Sequence, residues 1–104
     1  MIFFNKQKKT EEQKSATYLM KHNFNRGLEE RELGAFYERF CMFENSLEHY
    51  NLAYDFFLKA ESFVSLAEEE EKGKRVSAYK TLTYAKVLDI REKMRDCGDG
   101  GRSL

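Results

Sequence analysis

The chain has 104 residues, of which 41% are hydrophobic and 35% charged, with no proline, no tryptophan and a net charge of zero. This length allows one domain, and the share of aliphatic and aromatic residues excludes a chain that is disordered throughout. A neutral chain also disfavours a protein whose whole surface binds nucleic acid. The lack of proline and the many Glu, Lys, Leu and Ala residues favour long helices over a turn-rich β fold.

The N-terminus shows no targeting or membrane-spanning pattern. Ile2, Phe3 and Phe4 form an apolar patch that is too short for a signal peptide, and lysines follow it instead of preceding it. Its role stays open between an anchor and a frayed end. No apolar run approaches the roughly 20 residues that cross a bilayer. We therefore predict a cytoplasmic protein with no membrane segment, and in that compartment we expect no disulfide between Cys41 and Cys97.

The domain organisation predicted from these patterns is simple. Residues 1–9 are predicted to be a flexible segment, 10–97 a single helical domain and 98–104 a flexible glycine-rich tail.

The first predicted helix begins at Thr10, whose hydroxyl can cap it, and has acidic residues in its first turn. We expect this helix to end at His22, because the stretch 23–27 that follows contains Asn and Gly residues, which tolerate left-handed backbone.

The central part of the chain, residues 28–71, contains no strong helix breaker. Its large apolar residues alternate at spacings of three and four, the pattern of one buried helix face. They are Leu33, Phe36, Phe40, Phe43, Leu47, Tyr50, Tyr54 and Phe57. We predict one continuous or kinked helix here, because the spacing keeps its phase. The alternative is a break at Asn45-Ser46, where Asn45 could cap a new helix.

The last predicted helix spans Lys74 to Asp96, after a turn at Gly73. A tight turn makes it antiparallel to the helix before it, and its length lets it reach back only to about His49. The predicted fold is therefore all-α: a three-helix arrangement with a long central helix, continuous or kinked, and an antiparallel helical hairpin, packed like a coiled coil.

Charge is unevenly distributed along the neutral chain. Residues 1–27 carry a net charge of +4, residues 28–71 of −9 and residues 72–104 of +5. Because unlike charges attract, this order predicts that both basic ends pack along the acidic middle.

The short reach of the last helix predicts an uncovered surface on the central helix. A protein partner or a second copy should cover this surface, which is rich in aromatic rings among acidic residues and so is poorly suited to base stacking. The predicted interface consists of Leu33, Phe36, Tyr37, Phe40, Phe43, Leu47 and Tyr50.

No pattern in the sequence indicates catalysis or metal binding. Neither His22 nor His49 has the Glu-x-x-His spacing of di-iron bundles, and no glycine-rich phosphate loop is present. Cys41 lies in an apolar run and is predicted to be a small buried side chain, with acidic neighbours that would not activate it. We therefore predict no enzyme, no cofactor, no metal and no small-molecule substrate.

The function predicted from the sequence is non-enzymatic protein binding by a self-associating helical protein that acts as a regulator, inhibitor, adaptor or chaperone-like factor. The alternative is a nucleic-acid-binding regulator that uses the basic side of the last helix, because clustered cations are the footprint of such proteins. That basic surface consists of Lys80, Lys86, Arg91, Lys93 and Arg95.

Overall fold

A computed structural model of the chain describes the backbone of residues 9–103 and the side chains of residues 9–96. The predicted all-α class is confirmed, because this part of the chain is helical almost throughout and contains no strand. Residues 1–8 and 104 lie outside the described residues, and with them the prediction for Ile2, Phe3 and Phe4. The helices are α1 (Glu11–Arg39), α2 (Phe43–Ser62), the single turn α3 (Val64–Ala67) and α4 (Glu70–Ser103).

The helices form a bundle in which α2 is the central member. It runs antiparallel to α1 on one side and to α4 on the other, and it makes most of the helix–helix contacts. The helices α1 and α4 therefore run parallel, and they meet mainly through their side chains. The predicted helix–helix packing is confirmed, although the helices differ from the predicted ones in length.

The first helix begins where the sequence predicts but ends much later. Thr10 caps it, with its hydroxyl accepting from the backbone N–H of Gln13 at 3.1 Å while the Gln13 side chain accepts from the backbone N–H of Thr10 at 2.9 Å. The predicted end at His22 is wrong, because α1 continues to Arg39. Asn23 does not break the helix, since its side-chain amide donates to the carbonyl of Leu19 at 2.7 Å.

The chain reverses at residues 40–42, so the predicted continuous helix over 28–71 is wrong, and the break also precedes Asn45. Cys41 adopts a left-handed conformation with φ of 57°. Its backbone N–H donates to the backbone carbonyl of Glu38 at 3.0 Å, and the backbone N–H of Met42 donates to the backbone carbonyl of Tyr37 at 3.0 Å. These two bonds are the Schellman motif that ends many helices, with Cys41 where glycine is usual.

The second reversal also differs from the prediction. Gly73 does not turn the chain but is buried inside α4, where it packs against Val64. The turn comes from Glu68, which has a left-handed φ of 56°, and from the following Glu69. As a result, α4 begins before the predicted Lys74, and it ends at Ser103 instead of Asp96. The boundaries of the predicted domain, 10–97, stay a prediction.

The core consists of two clusters along the bundle, joined by the fully buried Phe57. The Phe57 ring lies 5.6 Å from Phe24 and 5.9 Å from Tyr79, measured between ring centroids, so this ring connects α1, α2 and α4. The first cluster contains Met20, Ala60 and Val76, and the second contains Tyr50, Val87 and Ile90.

The predicted attraction between the acidic middle and the basic ends is confirmed by ion pairs. Lys9 pairs with Glu69. From the other end of the chain, the ammonium of Lys80 lies 2.8 Å from a carboxylate oxygen of Glu61.

Candidate protein-binding surface

A row of large apolar side chains lies exposed near the end of α1. Leu33 is 41% exposed, Phe36 44% and Phe40 63%. The centroids of the Phe36 and Phe40 rings are 5.1 Å apart, and the guanidinium carbon of Arg39 lies 5.9 Å from the Phe36 centroid. Contiguous exposed apolar side chains of this size mark binding surfaces more often than ordinary solvent-facing helix.

These rings continue a regular pattern along α1, which we call the outer stripe. Its members alternate at spacings of three and four and therefore share one helix face. They are Leu19, His22, Arg26, Glu29, Leu33, Phe36 and Phe40. The outer stripe lies away from α4, because α1 contacts α4 through other residues, among them Met20 and Glu38.

The outer stripe is apolar at its two ends and charged in its middle. At the start of α1, Leu19 lines a shallow groove together with Phe63 and Leu66. In the middle, the Arg26 guanidinium lies 3.3 Å from the Glu29 carboxylate. In chain order, the stripe therefore consists of an apolar end, one cation, one anion and a second apolar end.

A network of polar contacts connects the outer stripe to α2. The Tyr37 ring stacks on His49 with centroids 5.3 Å apart, and the Nδ1 atom of His49 lies 2.6 Å from Oε1 of the buried Glu30. The guanidinium of Arg26 lies 3.6 Å from the other Glu30 oxygen and 5.1 Å from the centroid of Phe56. These contacts link the face of α1 to α2.

The structure divides the predicted interface residues into two groups. Leu33, Phe36 and Phe40 are exposed in the outer stripe, and Tyr37 lies half-buried beside them.

The other predicted interface residues pack inside the chain. Phe43 and Leu47 are half-buried against the second core cluster, and Tyr50 is only 2% exposed. The expectation that the last helix reaches back only to about His49 is wrong, since Lys93 lines one cavity together with Phe43 and the helix continues to Ser103. The reversal at Cys41 also shortens α2, which begins at Phe43.

The half-buried carboxylate of Glu38 is the electrostatic centre of this end of the bundle. It lies 2.9 Å from the ammonium groups of both Lys86 and Lys93, and it accepts a 3.0 Å hydrogen bond from the Tyr50 hydroxyl. Burial alone would raise the pKa of Glu38, but the hydrogen bonds from Lys93, Lys86 and Tyr50 hold this pKa at about 2. Burial, together with Glu38, raises the pKa of Tyr50.

The predicted basic surface is largely engaged within the chain. Lys86 and Lys93 pair with Glu38, and a hydrogen bond from Lys80 lowers the pKa of Glu61. Arg91 and Arg95 lie exposed on α4.

Some residues of this surface were missed by the sequence analysis. Arg26 and Glu29 belong to the same alternating pattern as the aromatic rings, but a pattern search limited to apolar residues passes over them. Cys41 was expected to be buried and is instead exposed at the turn, as a free thiol.

Two absences hold for the part of the chain that the structure describes. No group of three or more His, Cys, Asp or Glu side chains there could hold a metal ion. In the same range, every helix is too short or too polar to pass through a lipid bilayer.

No protein-family model, no curated protein and no solved structure matches this chain.

Proposed function

We propose that the protein is a non-enzymatic protein-binding module that forms a homodimer through the outer stripe of α1. The observation that carries this proposal is the order of side chains in the stripe, which is complementary to itself when reversed. A surface of this kind suits a two-fold symmetric interface, in which the same patch meets itself.

The complementarity follows from pairing two α1 helices in antiparallel orientation. A two-fold axis between Arg26 and Glu29 places Arg26 opposite Glu29 of the partner subunit, and the reverse pair forms by symmetry. The same register places Leu19 opposite Phe36 of the partner subunit. Leu33 then lies opposite His22 and Phe40 opposite Ser15 of the partner subunit, and the two charged pairs lie at the centre.

Burial of rings supplies most of the expected affinity. Each large apolar side chain that moves from water into an interface contributes roughly 1.5–3 kcal/mol when its burial is complete. The central ion pairs contribute little at about 0–1 kcal/mol each, but they fix register and orientation, because a shifted or parallel pairing loses them.

The nucleic-acid alternative has less support. Lys80, Lys86 and Lys93 are satisfied by carboxylates of the same chain, so a phosphate backbone would have to compete with these pairs. A cytoplasmic location is part of our proposal, since the exposed free thiol of Cys41 fits a reducing compartment.

Light scattering at about 100 μM protein tests the dimer, because association depends on concentration. We expect a mass of twice 12.3 kDa for the native chain and a monomer for Phe36→Asp. The matched control is Leu88→Asp, an apolar position on α4 that is 47% exposed against 44% for Phe36 and that should stay dimeric. A monomeric native chain, or a dimer that survives Phe36→Asp, contradicts the proposal.

A further inference from the structure

A groove runs between α1 and α4 over about five turns of α1. It consists of three adjoining cavities of about 260, 320 and 770 Å³. Leu28 lines both the first and the second cavity, and Arg31 and Ala35 line both the second and the third. The three cavities are therefore one continuous surface, and from Met20 to Arg39 it is roughly 30 Å long at 1.5 Å per helical residue.

The groove forms because α1 and α4 each pack on α2 more closely than on each other. Long side chains span the distance between α1 and α4. The rings of Phe24 and Tyr79 meet edge to face at 5.6 Å, and Nε of Arg31 donates to the hydroxyl of Thr83 at 3.2 Å. Three helices arranged in this way leave the position of a fourth helix open, opposite α2, as in a four-helix bundle that lacks one member.

The groove is strongly basic in a chain with zero net charge. Seven Lys and Arg side chains line the three cavities, against the two carboxylates Glu32 and Glu38. Lys86 and Lys93 pair with Glu38, so the excess positive charge comes mainly from Lys21, Arg31, Arg39, Lys72 and Arg75. At the first cavity, Lys21 and Lys72 lie so close together that Lys72 lowers the pKa of Lys21. An anionic group bound there would relieve this repulsion between like charges.

Beneath the cations, the groove has an apolar floor. Met20, Phe24, Leu28 and Val76 line the first cavity, and most of its exposed lining is apolar. An occupant should therefore combine apolar side chains at helical spacing with carboxylates on its flanks, as in helix-in-groove recognition. One large apolar side chain could fill the first cavity as an anchor.

We propose that the groove between α1 and α4 binds an acidic amphipathic helix of a partner protein, which completes a four-helix bundle. Residues 1–8 of this chain are a poor occupant, because they carry Lys6 and Lys8 and no acidic residue. Single-stranded nucleic acid fits less well. The guanidinium carbon of Arg75 lies 5.5 Å from the Phe24 ring centroid, and that of Arg31 lies 5.5 Å from the Tyr79 ring centroid. These guanidinium groups cover the ring faces on which bases would stack.

A binding assay with defined probes tests the proposal. The probe is a fluorescein-labelled helical peptide of about 20 residues, which matches the groove in length, with leucines at positions i, i+3 and i+7 and glutamates on both flanks. A matched peptide replaces every glutamate with lysine. A labelled single-stranded oligonucleotide of the same charge as the acidic peptide tests nucleic acid. Fluorescence anisotropy measures all three against the full chain.

Lys21→Glu is the informative variant of the chain. Lys21 is exposed, and its replacement turns the repulsion with Lys72 into attraction, so the variant should fold as well as the native chain. Arg91→Glu makes the same change of charge on α4, at a residue that lines none of the three cavities.

We expect the acidic peptide to bind, and its affinity to fall at least tenfold with Lys21→Glu and less than twofold with Arg91→Glu. Binding should weaken as salt rises from about 50 to about 500 mM. Equal binding by both peptides, equal loss in both variants, or no binding of the acidic peptide at about 1 mM overturns the proposal. Tighter binding of the oligonucleotide than of the acidic peptide also overturns it, in favour of nucleic acid.

Discussion

The two faces of α1 differ in the size of their side chains, in the reverse of the usual order. The face toward α2 carries small residues, among them Ala16, Gly27 and Gly34, all of them buried. The outer stripe, which lies about 100° around the helix from that face, carries Leu33, Phe36 and Phe40, all of them exposed. A helix that contributed its large side chains to the core of a monomer would show the opposite distribution.

The small inner face is explained by what α2 contributes. A Cβ atom on Gly27 would lie 2.5 Å from Cε1 of Phe57, and one on Gly34 would lie 2.9 Å from the Tyr50 ring. Large rings of α2 therefore occupy the space that α1 leaves open. Of the α1 rings, Phe24 packs into the core, whereas Phe36 and Phe40 stay exposed and are available to a second protein.

Filling the inner face should have the largest effect on stability. Gly27→Val introduces branched carbons into the space of the Phe57 ring, so we expect unfolding to become easier by about 3 kcal/mol, at the upper end of overpacking costs. Chemical denaturation measures this change. Asn25→Val makes a similar substitution at an exposed position of α1 and should change stability by less than about 0.5 kcal/mol. Equal effects at the two sites would mean that the α1–α2 contact is not close-packed.

The charge centre at the end of the bundle should have the next largest effect. The pKa of Glu38 falls from 4.5 to about 2 in the folded protein, so its stabilisation is present above pH 4.5 and is lost as the pH falls toward 2. We expect Glu38→Gln to cost about 2 kcal/mol at pH 7 and to cost progressively less below pH 4.5. Glu48→Gln, at an exposed position of α2, is the control. A cost that does not change with pH would exclude this ion-pair network.

The charged middle of the outer face should have a smaller effect, which we expect on association. Arg26→Glu places like charges at both central pairs of the proposed dimer. We therefore expect the dissociation constant of the dimer to rise about tenfold, which corresponds to about 1.4 kcal/mol. The double variant Arg26→Glu, Glu29→Arg restores both pairs and should regain the native dissociation constant in sedimentation equilibrium. A double variant as weak as the single one would contradict the antiparallel register.

The turn between the two faces should show the smallest effect. Cys41 adopts a left-handed backbone conformation that glycine adopts without steric cost, so Cys41→Gly should stabilise the chain by up to about 1 kcal/mol. Cys41→Ala keeps the penalty and should bring no gain. Thermal unfolding of both variants distinguishes the backbone effect from loss of the thiol, and equal melting temperatures would contradict it.

The sequence predicts the helical class and the Thr10 cap because both depend on local patterns. It does not predict the ends of most helices, because a glycine can mark either a helix end or a close contact between helices. Gly27 and Gly73 are close contacts, with Phe57 and Val64 respectively, and these partners are distant in the sequence or not identifiable from it. The reversal at Cys41 has no local signal at all, since a residue other than glycine takes the left-handed position.

The same limit applies to the candidate surface. The spacing of the aromatic residues continues through residues 40–42 without a change of phase, although the chain reverses there and the two halves of the row belong to different helices. Leu33, Phe36 and Phe40 therefore lie outside the bundle while Tyr50 lies inside it.

Distances between spin labels in the full chain test the central claim, that the outer stripes of two α1 helices meet in antiparallel orientation. Labels are attached at Ser15→Cys or at Asn25→Cys, with Cys41 and Cys97 replaced by serine. A two-fold axis between Arg26 and Glu29 predicts about 40 Å between the two labels at position 15 and about 12 Å at position 25, from 1.5 Å per residue and 8–10 Å between helices. Short distances at both positions, or no measurable coupling at either, would contradict the account.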